Sequence, residues 1–131
     1  MNHRLLLGLG GLTGALGVAM GAFGAHGLKA WLATVDDGAE RLAWWQTGAH
    51  YHLLHALLLV AIGMWARAHP GRLVRAAGVC ALAGVALFSG TLYAMALGGP
   101  RVLGAVTPLG GVALLAAWVL VAVSAWRGDQ A

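Results

Sequence analysis

The chain has 131 residues, of which 8 are Lys or Arg and 4 are Asp or Glu, so 9% carry charge where an ordinary soluble domain has about 25%. With 60% hydrophobic residues, 21 glycines and a mean hydropathy of +0.80, it leaves no length for a separate soluble catalytic domain. The net charge of +4 is spread along the chain and not gathered into a basic stripe, which excludes nucleic acid as a partner and leaves the lipid bilayer in its place.

The charges separate four uncharged runs, 5–28, 42–66, 76–100 and 102–126, each of 24 or 25 residues. A bilayer core takes about 20 mostly apolar residues per helix, so each run is long enough to cross. The pattern predicts an all-α integral membrane four-helix bundle, a single membrane domain over 1–131 with spans near 5–25, 46–66, 76–98 and 108–126. A short interfacial helix is expected between spans one and two.

In span one, Gly10, Gly14, Gly17, Gly21 and Gly24 recur at spacings of 4, 3, 4 and 3. Each glycine costs a helix about 1 kcal/mol against alanine, and small residues let helices approach closely in lipid. Five in register therefore predict a helix-packing seam. The run also has the outline of a cleaved signal peptide, with His3 and Arg4 ahead of it and small residues at 22–25. Its length and regular glycines favour a retained span.

Leu28, Trp31, Leu32 and Val35 fall at i, i+3, i+4 and i+7, which predicts the interfacial helix over 28–35. Asp37 and Glu40 have capping-box spacing, so a second helix should start there outside the membrane. It should run to about Ala68, before His69-Pro70-Gly71. A third helix is expected over 72–98, with Gly98-Gly99-Pro100 as a turn. Thr107-Pro108 reads as N-cap and first helical position, opening a fourth helix over 108–126.

Four spans put both termini on one side. That side holds Arg4, Arg67, Arg72, Arg75 and Arg127, against Lys29, Arg41 and Arg101 on the other, which also holds Asp36, Asp37 and Glu40 and leaves only Asp129 with the termini. The positive-inside rule then places both termini in the cytoplasm. Trp31, Trp44 and Trp45 mark the outer interface and Trp65 and Trp126 the inner one, while Trp118 is expected in the bundle core against a glycine-lined surface.

Polar residues gather in the outer half: His26, Gln46, Thr47, His50, Tyr51, His52, His55, Ser89, Thr91, Tyr93 and Thr107. A polar group without a partner in hydrocarbon costs several kcal/mol, so these side chains should face one another or trapped water. The expectation is a polar, outward-facing recess over an apolar floor. At about 100° per residue, Tyr51, His52 and His55 share a sector from which His50 points away, and Ser89 and Tyr93 sit one turn apart. His55, the deepest ionisable group, lies level with Ser89. Intramembrane ionisable residues are functional-site hypotheses by default. The competing reading is structural: a neutral histidine bonding a neighbouring helix is worth about 0.6 kcal/mol.

His26, His52 and His55 could offer three metal ligands, but no CxxC or HExxH accompanies them and no metal is assigned. No histidine on spans three and four stands opposite His55 for a haem. No span carries an acid, and Ser89 and Ser124 lack a neighbouring carboxylate for a triad. No catalytic residue emerges, which points away from an enzyme, and no cofactor is named.

The sequence resembles a known family at Gly21-Ala22-Phe23-Gly24-Ala25-His26-Gly27-Leu28, at Thr47, Tyr51 and His55-Ala56-Leu57, at Phe88-Ser89-Gly90-Thr91-Leu92-Tyr93 and at Thr107-Pro108-Leu109-Gly110-Gly111. It is similar to the domain of unknown function 423 family of small bacterial inner-membrane proteins, which has a short eukaryotic transmembrane relative. The resemblance implies a multi-pass inner-membrane protein and brings no activity or substrate. His26, His55, Ser89, Tyr93 and Thr107 match its motif positions, whereas His50 and His52 stand where glutamine is common, which weakens a three-histidine metal site.

The reading of the whole is a small multi-pass inner-membrane protein binding a small polar ligand, lipid headgroup or ion through His26, Tyr51, His52, His55, Ser89, Tyr93 and Thr107. The alternative is a non-catalytic assembly or scaffold subunit that packs through its glycine seam, as a homo-oligomer or within a larger membrane complex.

Overall fold

Asn2 opens the first helix, its side-chain oxygen accepting the Leu5 N–H at 2.9 Å. In the computed structural model, which describes residues 1–127, this helix, α1, runs His3–Leu32. Asp129, counted with the termini, lies outside the described residues. The segment expected as a short interfacial helix is helical over Lys29–Leu32 and joins span one through a π turn at Gly24–Leu28. Leu28 and Leu32 explain the junction. Spaced four apart, they find an apolar surface at Trp45 and Ala96 and are buried there.

Helix α2 spans Gly38–Ala68. It begins where the capping-box spacing puts it, but Asp37 does not cap it with its side chain. Its carboxylate accepts from Arg41 at 3.5 Å and from Arg101 at 3.2 Å, and Glu40 accepts from Arg101 at 2.9 Å. Asp37 has φ −94° and ψ 17°, outside the extended region from which a side chain caps, so its carboxylate turns to the guanidinium groups instead. Desolvation pushes Asp37 up, but the hydrogen bonds from Arg101 and Arg41 outweigh it and hold the carboxyl below its ordinary 3.8. Arg41 also donates to the Ala96 carbonyl at 2.8 Å, tying this corner to the next helix.

Helix α3 spans Arg72–Ala96, two residues shorter than expected, because Gly98 takes a φ of +97° that turns the chain out. A 3-10 turn over Arg101–Ala105 leads into α4, Thr107–Trp126, with Pro108 in its first turn. All four helices are long and apolar enough to cross a membrane. The molecule is an all-α membrane four-helix bundle.

Sequential neighbours carry the main helix contacts, α1 on α2, α2 on α3 and α3 on α4, which is an up-and-down order. The core has two centres. Toward the termini, Leu6, Leu58, Leu59, Ile62, Ala77 and Ala81 cluster, with Leu6 seated on Gly78 of α3. At the opposite end, Leu28, Leu32, Trp45 and Ala96 form the second centre. Between these two closures α1 and α3 part.

Candidate functional site

The helical turn divides the polar residues expected to share one recess. Tyr51 and His52 are consecutive, about 100° apart on α2, so His52 is carried to the α1 side and Tyr51 toward α4. On the α1 side a cleft of about 310 Å³ opens laterally between α1 and α3 over α2 as its floor. Thr13 and Leu16 form one wall, Leu82, Val85, Ala86, Ser89, Gly90 and Tyr93 the other, and His52 lies between them.

His52 is only 4% exposed. Its Nδ1 lies 3.1 Å from the Tyr93 hydroxyl. With the phenol donating to Nδ1, Nε2 carries the imidazole proton. The Thr13 backbone lies near the ring, but Nε2 closes no hydrogen bond of ordinary geometry. A buried donor left in this way costs about 1–3 kcal/mol.

On the α4 side the buried polar groups are paired. The Trp118 indole donates to His55 Nε2 at 3.2 Å, which leaves the imidazole proton on Nδ1 to donate to the Tyr51 carbonyl at 2.7 Å. His55, 3% exposed, is thereby neutral and satisfied at both nitrogens. Trp118 is 46% exposed, so it lies at the edge of the bundle and not within the core expected for it. The Tyr51 ring rests on Phe88 with centroids 4.6 Å apart. Thr91 donates to the Leu87 carbonyl at 2.6 Å and accepts from the Thr107 hydroxyl at 2.7 Å, which joins α3 to α4. Ser89, level with His55 in depth, donates instead to the Gly48 carbonyl at 2.8 Å, because Gly48 lets α3 come close there.

Two other expectations resolve differently. His26 is exposed on the π turn of α1, apart from His52 and His55. Gln46, Thr47 and His50 are exposed on the outside of α2. The glycine stripe faces α2 of the same chain: a Cβ on Gly10 would lie 2.9 Å from the Val60 backbone nitrogen, Gly17 meets Leu53 and His52, and Gly24 receives the Trp45 ring. A Cβ on Gly14 would lie 3.8 Å from the Ala56 Cβ, and one on Gly21 would meet nothing within 4 Å. Trp45 completes that contact by donating to the Met20 carbonyl at 2.8 Å.

Among the described residues, no three His, Cys, Asp or Glu side chains are placed to hold a metal ion. Sequence reasoning passed over Thr13, Gly90 and Trp118. Thr13 lies four residues before Gly17 on the seam, so spacing could have found it. Gly90 and Trp118 carry no comparable signal, because their roles depend on which helices meet.

A family model described as a protein of unknown function, DUF423, matches residues 20–111. The chain belongs to the DUF423 family. Its relatives include the UPF0382 membrane protein YwdK of Bacillus subtilis, 40% identical over 93% of this chain and 96% of that one. The UPF0382 inner membrane protein YgdD of Escherichia coli is 36% identical over 97% of this chain and 93% of its own. A UPF0382 membrane protein of Staphylococcus haemolyticus is 36% identical over 95% and 97%. No solved structure matches. Family membership and the four apolar helices make this a membrane protein.

Proposed function

We propose that the protein takes a lipophilic molecule bearing a hydrogen-bonding oxygen from the bilayer into the cleft between α1 and α3. One observation carries this reading: a histidine that is 4% exposed, with an unpartnered Nε2, stands at the floor of a 310 Å³ cleft that opens sideways. Leu16, Leu82 and Val85 suit a chain or ring, while His52 and Tyr93 suit one oxygen. An oxygen that accepted the Nε2 proton would satisfy that nitrogen. The lateral opening favours a bilayer molecule over the water-soluble ligand or ion that an outward recess would admit.

The name of the Escherichia coli relative supports the bacterial inner membrane as the location. The charge asymmetry between the two ends supports cytoplasmic termini. Scaffolding through the glycine seam finds less support, since Gly10, Gly17 and Gly24 already hold α2 of the same chain.

The test is native mass spectrometry from mild detergent with analysis of retained lipids. Wild type should carry a bound molecule above the bare chain mass. Gly90→Leu should lose it while staying folded, because a Cβ on Gly90 meets no atom within 4 Å and the side chain would fill the cleft. Empty wild-type protein, or retention unchanged in Gly90→Leu, would sink the proposal.

A further inference from the structure

The outside of α2 carries an unpartnered polar patch at a depth where lipid offers no hydrogen bonds. Ala43, Thr47, His50, Leu54, Leu57, Ala61, Met64 and Ala68 are all exposed and recur at alternating spacings of 4 and 3, with Gln46 beside them. Arg41 and Arg67 bracket the uncharged part of α2, so a core about 30 Å thick, centred between them, begins near residue 44. His50 then lies about 9 Å inside it. None of Gln46, Thr47 and His50 makes a hydrogen bond among the described residues, and the ring contact of His50 is with its neighbour Tyr51, 5.9 Å away.

We infer that this face of α2 is covered by the same face of a second copy of the chain. Ionisable side chains within a membrane almost always face protein or water, so His50, with Gln46 and Thr47 about one turn nearer the surface, calls for a partner. A second copy fits the chemistry. Copies inserted in one membrane share an orientation, so a two-fold axis along the membrane normal brings residues of equal depth together. Thr47 meets Thr47 and His50 meets His50 across that axis, with Gln46 flanking them. A hydroxyl and a neutral imidazole each offer both a donor and an acceptor, so each can pair with its own copy.

The remainder of the stripe suits the same contact. Spacings of 4 and 3 are the seam of a left-handed helix pair, and Ala43, Ala61 and Ala68 allow close approach around Leu54, Leu57 and Met64. The cleft lies between α1 and α3, so the interface leaves it open.

Cysteine crosslinking in vesicles of bacterial lipid tests the inference, with Cys80→Ala as background. Thr47→Cys and Leu57→Cys should form disulfide-linked dimers far faster than Leu115→Cys, which is just as exposed but lies on α4 (Leu57 69%, Leu115 67%). The double substitution Gln46→Leu with His50→Leu should weaken the dimer about tenfold in dissociation constant by energy transfer on lipid dilution. These changes make the face more apolar, so insertion and folding are preserved. Equal crosslinking at 57 and 115, monomeric wild type, or an unweakened dimer in the double variant would overturn the inference and leave the patch to headgroups or a different protein.

Discussion

Helices α2 and α3 bury polar groups on both sides, and the two sides differ in how closely the next helix approaches. Against α4 the approach is tight: a Cβ on Gly110 would strike the Phe88 backbone nitrogen, and Gly84 receives Leu114. Every buried polar group there has its partner. Against α1 the helices touch at both ends but part between them, and His52 keeps one nitrogen unsatisfied beside a cleft. Histidines three residues apart on one helix thus have different meanings. His55 bonds helices together, whereas His52 is the residue with something left to bind.

Filling each interface gives the largest test of that contrast. Gly110→Leu should cost about 3 kcal/mol or more by chemical unfolding in detergent, because it must push backbone off backbone. Gly90→Leu, pointing into the cleft, should stay within about 0.5 kcal/mol of wild type. Similar losses for the two would mean that the α1 side is as closely packed as the α4 side.

Next in size is the His52–Tyr93 pair. Tyr93→Phe alone should cost about 1–3 kcal/mol by leaving Nδ1 unpaired, while Tyr93→Phe with His52→Leu should return close to wild type, since both polar partners are then gone. Additive losses in the double variant would show that the pair is tied to other groups.

Trp118→Phe removes one donor from the satisfied side and should cost about 0.6 kcal/mol. A much larger loss would make His55 more than an anchor.

The smallest effect lies outside the membrane. The Asp37 carboxyl sits below its ordinary 3.8, so its stabilising contact with Arg41 and Arg101 is complete above that value and fades as pH falls through the lower, folded one. The thermal midpoint of wild type should therefore drop below about pH 4 more than that of Asp37→Asn. Parallel curves would remove Asp37 from the latch.

Much of the bundle was legible in the sequence because charge, proline and glycine punctuate it. The stop before His69-Pro70 falls where sequence chemistry puts it, and the fourth helix starts within one residue of its expected place, although Val106 stands at the cap position and the Thr107 side chain does not cap. The depth of the polar residues was readable too, but the direction each one faces was not. Periodicity shows which residues share a helix face without saying which neighbour covers it, so Gln46, Thr47 and His50 were grouped with residues they do not meet. The choice of Asp37 between capping and pairing with Arg101 was equally hidden, since the arginine arrives from 64 residues away.

The π turn of α1 has a consequence for how the chain can vary. Gly24, Leu28 and Leu32 are buried at intervals of four, and a straight α-helix would let that line drift by about 40° at each step. The wider turn takes up the difference, so its extra residue acts as a phase adjustment between the glycine seam and the Trp45 contact. One residue removed from the π turn would restore an ordinary α-helix, whereas one removed from the middle of the seam would turn everything on one side of the cut by about 100°.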